Sequence, residues 1–156
     1  MKCARKNEND KASFLPNNIV PQGWKEIDIS NFNDYIELAN GYNDRKYIIV
    51  DSVMIENPDY EQEQQERENE RISHLKCTKR VLALILQELG IQYSVLKQLI
   101  DSNPQAQLEW DLCVELERSN PLIDIIGQEL GLTPVDIDNI FKYANGEINT
   151  IQKEGE

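Results

Sequence analysis

In the second half of the chain, apolar residues recur at the three- and four-residue spacing of helices that bury one face. Residues that start or stop helices separate the apolar groups. Thr and Asn-Pro or Thr-Pro pairs are typical of helix starts, and Gly is typical of stops. These signals predict five helices, which run from Thr78 to Gly90, over 92–101, over 105–118, from Asn120-Pro121 to Gly131, and from Thr133-Pro134 to Ala144.

Two of these helical segments are copies of each other. Gln87-Glu88-Leu89-Gly90-Ile91 returns 41 residues later as Gln128-Glu129-Leu130-Gly131-Leu132, and the apolar positions that follow also correspond. An imperfect repeat of this length indicates one supersecondary unit used twice. We therefore expect a helix–glycine–helix unit, similar to a helix-turn-helix, to occur twice in a five-helix bundle over 77–146.

The predicted core of this bundle includes an apolar stripe on its third helix and the aromatic residue Phe141. The stripe consists of Leu108, Trp110, Leu112, Val114 and Leu116, and Cys113 reads as a small core residue beside it.

The region 19–57 has a different pattern. The β-branched run Tyr47–Ile55 predicts a strand, with Trp24–Ile29 as its pairing partner. A short helix is expected over Phe32–Asn40, with a cap at residue 30 or 31 and a stop at Gly41. Two strands and one helix are too few to be stable alone, so this small α/β piece is expected to dock on something.

The remaining segments are polar. Residues 1–18 show no period and predict a flexible arm, residues 58–76 predict a spacer helix that is polar on all sides, and residues 147–156 predict a polar tail. The whole pattern predicts a mainly α protein, in which the arm, the small α/β piece and the polar spacer helix precede the C-terminal bundle.

Charge narrows the class of partner. The net charge is −12, of which residues 81–156 carry −9 and residues 1–80 carry −3. Such acidity repels nucleic-acid phosphates and favours basic protein partners, although acids also keep a small domain soluble. The chain has no apolar run of 18 residues and no leader pattern, so no membrane association is expected. Three cysteines without a CxxC spacing indicate a reducing compartment.

No motif predicts catalysis, a cofactor or a metal. His74 is the single histidine, with Cys77 as its nearest cysteine, whereas a zinc site needs three or four ligands. Asp136 and Asp138 fall on different faces of one helix, and at the start of that helix they would repel DNA. We therefore expect a non-enzymatic protein that does not bind nucleic acid. The candidate partner-binding residues are Trp24, Tyr35, Asp136 and Asp138.

Two segments carry a resemblance to a known group. The stretch from Ile19-Val20-Pro21-Gln22-Gly23-Trp24 to Leu38 resembles the opening of small proteins from structural gene clusters of tailed bacteriophages. Residues 70–75, 78–90, 120–127, 130–133 and 138–141 are similar to the helical end of uncharacterised phage and prophage proteins. The resemblance implies a setting in the virion, or in the host cytoplasm during assembly, and defines no site residues.

Three functions fit these expectations. The first is a structural or adaptor protein that binds larger virion components, as an oligomer or within a larger complex. The second is a tail-assembly chaperone that is absent from the mature particle. The third, from another class, is an acidic DNA mimic or a helix-turn-helix regulator.

Overall fold

The computed structural model describes residues 1–152, and the chain divides into two compact units, Met1–Gln65 (unit 1) and Glu66–Glu156 (unit 2). The part of the predicted polar tail at 153–156 lies outside the described residues. Within residues 1–152 there are seven helices and three small antiparallel sheets. The predicted fold class, a mainly α chain that ends in a five-helix bundle, is wrong: both units contain paired strands, and the protein is mixed α/β.

A three-stranded sheet begins unit 1. Its strands are β1 (Lys2–Arg5), β2 (Ser13–Leu15) and β3 (Lys25–Ile27), in the order β2-β1-β3. The predicted flexible arm over 1–18 is therefore replaced by two paired strands, and Cys3 and Ala4 of β1 are fully buried. These strands are only three or four residues long, too short to show the alternation that indicates a strand.

A β-hairpin replaces the single strand predicted over residues 47–55. Its strands are β4 (Tyr47–Val50) and β5 (Val53–Glu56). The two residues between them, Asp51 and Ser52, have φ of 49° and 65°, as a tight two-residue hairpin turn requires. The segment predicted to pair with this strand contributes β3, which instead pairs with β1; only one bridge, from Asp28 to Val53, reaches the hairpin.

The first helix, α1 (Tyr35–Asn43), begins three residues later than predicted. Asp34 is its N-cap, because the Asp34 carboxylate accepts hydrogen bonds from the backbone N–H groups of Ile36 and Glu37. Gly41 does not stop the helix. Gly41 lies inside the helix. The Tyr47 ring packs so closely there that a Cβ atom at Gly41 would come within 2.3 Å of it, so the position requires glycine.

The predicted polar helix is present as α2 (Tyr60–Ser73), which runs across the boundary between unit 1 and unit 2. It ends before the predicted limit at residue 76, because His74 and Leu75 form a turn and a strand of unit 2 begins at Lys76.

Unit 2 contains five further helices and a two-stranded sheet among its described residues. The elements are β6 (Lys76–Thr78), α3 (Lys79–Glu88), α4 (Tyr93–Ser102), α5 (Pro104–Leu112), β7 (Glu115–Glu117), α6 (Pro121–Glu129) and α7 (Pro134–Ala144). The predicted helix starts are confirmed, since Thr78, Asn103, Asn120 and Thr133 are all N-caps whose side chains accept backbone hydrogen bonds.

The third predicted helix of this unit, over 105–118, is wrong in its second half. The helix ends at Leu112, and Cys77 of β6 pairs with Leu116 of β7 in an antiparallel ladder. The apolar stripe from Leu108 to Leu116 explains the error, because it repeats every second residue, and that is the period of a strand and not of a helix.

One core holds unit 2 together. It includes residues from both copies of the repeat, and its largest fully buried side chains are Leu86, Leu96, Ile100, Leu116, Ile140 and Phe141. Trp110 is 7% exposed, so its predicted burial is confirmed. Among the described residues, none of the helices combines the length and the apolar character that a membrane span requires.

Candidate protein-binding face

Two of the four predicted partner-binding residues, Trp24 and Tyr35, lie in unit 1, and each is half-buried. Trp24 follows a turn in which its backbone N–H donates to the Pro21 carbonyl at 3.0 Å. Tyr35 is the first residue of α1 and packs against the core of unit 1. Both rings keep only part of their surface accessible, and their role in binding stays a prediction.

The other two predicted residues, Asp136 and Asp138, make contacts within unit 2. The Asp136 carboxylate is buried and accepts hydrogen bonds from the Thr133 backbone N–H at 2.7 Å and the Thr133 hydroxyl at 2.8 Å. This is the capping box of α7. The Asp138 carboxylate accepts a hydrogen bond of 2.6 Å from Nε of Arg118, whose side chain is only 13% exposed. These two acids therefore stabilise the fold, and neither presents a free carboxylate to a partner.

A different part of unit 2 exposes apolar side chains. In α5 and the turn after it, Leu108 is 60% exposed, Leu112 is 75% exposed and Val114 is 80% exposed. The opposite side of α5 is buried, because Ala106 and Trp110 enter the core of unit 2. A helix that is apolar on both sides normally has both sides covered.

Carboxylates flank the exposed leucines. Successive helical residues are rotated by about 100°, so Glu109 and Asp111 lie on opposite sides of the line from Leu108 to Leu112. Both acids are exposed, and so is Glu115 just beyond the end of the helix. We call the surface formed by Leu108, Glu109, Asp111, Leu112 and Val114 the α5 face.

A groove of about 460 Å³ borders the α5 face on the side of Glu109. It lies between α5, β7 and the start of α6. We call it the acidic groove, and the lining residues that matter here are Ala106, Glu109, Glu115, Glu117, Leu122 and Ile125. The groove combines an apolar wall with three carboxylates, a composition that suits an aliphatic side chain with a positive end.

One of the three groove carboxylates already contacts a histidine and lies near a lysine. Oε1 of Glu117 lies 2.8 Å from Nδ1 of His74, and Oε2 lies 3.8 Å from the Lys76 ammonium. The hydrogen bond with His74, followed by the Lys76 charge, lowers the pKa of Glu117 below its usual value. Glu109 and Glu115 form no ion pair with any described residue, so they keep a net negative charge along the groove.

The structure also places the residues considered for metal or nucleophilic chemistry. His74 is at the end of α2 and contacts Glu117, whereas Cys77 is a buried residue of β6. Burial raises the pKa of the Cys77 thiol to about 12, so this side chain is not a thiolate nucleophile at neutral pH. Within residues 1–152, no group of three or more His, Cys, Asp and Glu side chains is arranged to hold a metal ion.

The α5 face was missed because the sequence analysis assigned its apolar residues to the core. The local sequence shows that the helix has two apolar sides, but it does not tell which side is buried. Asn103-Pro104 fixes the helix start, and from there the pair Ala106 and Trp110 and the pair Leu108 and Leu112 each have an i,i+4 spacing. Only one of the two pairs can face a core on one side, and the sequence does not say which.

Comparison of the chain with models of protein families, with curated proteins and with solved structures finds no match.

Proposed function

We propose that this chain is a non-enzymatic structural or adaptor protein, and that it binds another protein through the α5 face. The observation that carries the proposal is the exposure of Leu108, Leu112 and Val114, each at 60% or more, within seven residues of unit 2. Scattered exposed apolar residues are ordinary, whereas neighbouring ones with polar residues at their edge mark interaction surfaces.

The setting we propose is a tailed-phage particle or its assembly. Support for this setting comes from the resemblance of residues 19–38 to proteins of phage structural gene clusters, and of residues 70–75, 78–90, 120–127, 130–133 and 138–141 to phage and prophage proteins. An assembly chaperone would use the same α5 face but would be absent from the mature particle, so mass spectrometry of purified particles distinguishes the two roles.

The helix-turn-helix regulator alternative receives less support. In a helix-turn-helix protein the start of the second helix contacts DNA. In α7 that start holds Asp136 in its capping box and exposes Val135, and Asp138 pairs with Arg118. The first five residues of α7, Pro134 to Asp138, include no basic or amide side chain, and Asn139 is the first amide of the helix.

The test compares two double variants of the full-length protein. Leu108→Ser with Leu112→Ser removes the apolar part of the α5 face. Ile19→Ser with Ile36→Ser is the matched control, because these residues of unit 1 are 72% and 75% exposed. Circular dichroism verifies that both variants are folded, and sedimentation velocity then measures complex formation with each purified candidate virion protein.

We expect the wild type and the control to bind one virion protein, and the α5 variant to bind it at least about tenfold more weakly, as loss of buried leucines at an interface centre implies. A wild-type protein that binds none of the candidates, or an α5 variant that binds as tightly as the control, contradicts the proposal.

A further inference from the structure

The charge around the α5 face is one-sided. Residues 98–117 contain five acids and neither lysine nor arginine. The acids are Asp101, Glu109, Asp111, Glu115 and Glu117. Two of them have lysine partners, since Asp101 pairs with Lys97 and Glu117 lies 3.8 Å from the Lys76 ammonium. The other three have no ion pair with any residue that the structure describes, and Asp111 is the one of them that the charge of Lys97 also reaches.

A lysine does contact α5, but from the buried side. The Lys79 ammonium donates a hydrogen bond to the Trp110 carbonyl at 2.7 Å and lies 5.9 Å from the centre of the Trp110 ring. It therefore does not neutralise the acids that flank Leu108 and Leu112. A partner that covers these leucines must place groups beside Glu109 and Asp111, and an apolar or acidic group there would leave carboxylates desolvated without compensation.

We infer that the occupant of the α5 face is a basic, amphipathic segment of another protein, whose apolar residues cover Leu108, Leu112 and Val114 and whose Lys or Arg side chain enters the acidic groove. This inference rests on the proposed function, since it names the partner chemistry of the same face. The groove supports it directly. Its apolar wall, which includes Leu122 and Ile125, fits the aliphatic stem of such a side chain, and Glu109 and Glu115 fit its charge.

A second copy of the chain is a poorer occupant. In a two-fold symmetric dimer the same patch meets itself, so Glu109 and Asp111 of one copy would face the same acids of the other. The net charge of −12 adds long-range repulsion between copies. Self-association through the α5 face is therefore an outcome that would overturn the inference.

The experiment uses three labelled 14-residue peptides that share one helical leucine pattern. In the first peptide every polar position is Lys, in the second every polar position is Gln, and in the third every polar position is Glu. Fluorescence anisotropy measures their binding to the full-length protein at low and physiological salt. The variant Glu109→Gln with Glu115→Gln removes two groove charges. The control variant Glu70→Gln with Glu129→Gln removes the same charge from exposed sites of unit 2 outside the groove.

We expect the Lys peptide to bind most tightly and the Glu peptide not to bind. Affinity for the Lys peptide should fall as salt rises, because surface charges are screened. The groove variant should weaken this binding by about fivefold or more, and the control variant by less than about twofold, since charge pairs strengthen an interface only when the charges lie close together. Sedimentation of the protein alone should show a monomer.

Each other result overturns the inference. If the control variant Glu70→Gln with Glu129→Gln weakens binding as much as the groove variant, the Lys peptide is attracted only to the overall negative charge of the protein. If all three peptides bind equally and only Leu108→Ser with Leu112→Ser weakens them, the α5 face is apolar without charge preference, and the proposed function still stands. No binding of the Lys peptide, or self-association that the leucine variant abolishes, also refutes a basic partner. Failure of the proposed function itself is read from the virion-protein experiment.

Discussion

The two copies of the repeated hairpin, residues 79–102 and 121–144, end their first helix with the same hydrogen bonds. The Ile91 N–H donates to the Leu86 carbonyl at 2.8 Å in the first copy, and the Leu132 N–H donates to the Gly127 carbonyl at 2.8 Å in the second. The glycine between has φ of 79° in one copy and 66° in the other. This is the glycine-based helix stop in which the N–H beyond the glycine reaches back one and a half turns.

The side chains at one corresponding position differ completely. Leu86 of the first copy is 1% exposed and fills core volume itself. The second copy has Gly127 in its place, and a Cβ atom there would lie 2.2 Å from Cδ1 of Ile137. The volume that a leucine fills in one copy is therefore filled in the other from the facing helix. A conserved turn geometry does not fix which helix supplies the packing.

The start of the second helix differs as well. Gln92, the N-cap of α4, makes no side-chain capping hydrogen bond. Thr133, the N-cap of α7, forms a capping box with Asp136. The backbones at the two caps are nearly the same, with φ and ψ of −69° and 142° at Gln92 and −76° and 161° at Thr133. The second copy is thus stabilised locally at a point where the first depends on packing.

The largest effect is expected where the first copy fills its own core. Leu86→Ala should lower the free energy of unfolding by about 2–5 kcal/mol, because it removes buried methyl groups and leaves a cavity. Urea denaturation followed by circular dichroism measures it. Leu84→Ala on the same helix is the control: Leu84 is 52% exposed, and its truncation should change stability by less than about 1 kcal/mol. Equal effects of the two substitutions would show that Leu86 does not fill the core.

Gly127, at the corresponding position of the second copy, should be sensitive to added volume and not to removed volume. Gly127→Ala adds volume where Ile137 lies, and overpacking should cost about 1–3 kcal/mol despite the better helix propensity of alanine. The double variant Gly127→Ala with Ile137→Val shortens the facing side chain and should recover part of the loss. A single variant more stable than the wild type would show that Ile137 moves aside freely, and the packing difference between the copies would then have little energetic weight.

The caps allow a smaller and reciprocal test. Thr133→Ala should destabilise the protein by about 0.5–2 kcal/mol, because it removes an N-cap acceptor. Gln92→Thr should stabilise it by a fraction of that, because the backbone at residue 92 already has a cap conformation. Thermal unfolding of both variants gives the comparison. If Gln92→Thr gives no gain in stability, then the identity of residue 92 is not what keeps the first copy from having a side-chain cap.

The two copies also show which parts of the structure are determined by a few adjacent residues. The helix starts at Asn103, Asn120 and Thr133 and the stops at Gly90 and Gly131 were predictable because each depends on a few adjacent residues. The capping box is equally local, since it needs only Thr133 and Asp136 three residues apart, and this role accounts for Asp136 better than the predicted role in binding.

The sheets and the binding face depend on distant residues and were not predictable in the same way. Cys77 pairs with Leu116, 39 residues further along the chain, and no pattern at either strand names the other. The α5 face has the same difficulty. Leu108 and Leu112 have the composition and spacing of core residues, and only the tertiary fold determines that Ala106 and Trp110 are buried in their place.

The end of the second copy has one further support that the first lacks. Arg71 of α2 donates two hydrogen bonds, of 2.7 and 2.9 Å, to the Glu147 carboxylate just beyond α7, and it also donates to Glu68. The Lys142 ammonium of α7 lies 3.6 Å from Glu68. In the first copy, the ion pair between Lys97 and Asp101 lies within α4 alone and connects it to nothing else.

The smallest expected effect is therefore a pH dependence of stability that arises from the ion pairs at the end of the second copy. The Arg71 hydrogen bonds lower the pKa of Glu147 and lower that of Glu68 from 4.5 to about 2. Because these pKa values are depressed in the folded state, the stabilisation is present above about pH 4.5 and is lost as the pH falls toward 2.

Arg71→Gln should lower the urea midpoint slightly at pH 7, as expected for exposed pairs, and the difference from wild type should disappear near pH 2. Hydrogen exchange should show the loosening at residues 142–147, whereas Lys97→Gln should leave that segment unchanged. A deficit of Arg71→Gln that is the same at pH 2 and pH 7 would mean that Arg71 acts through packing and not through its carboxylates.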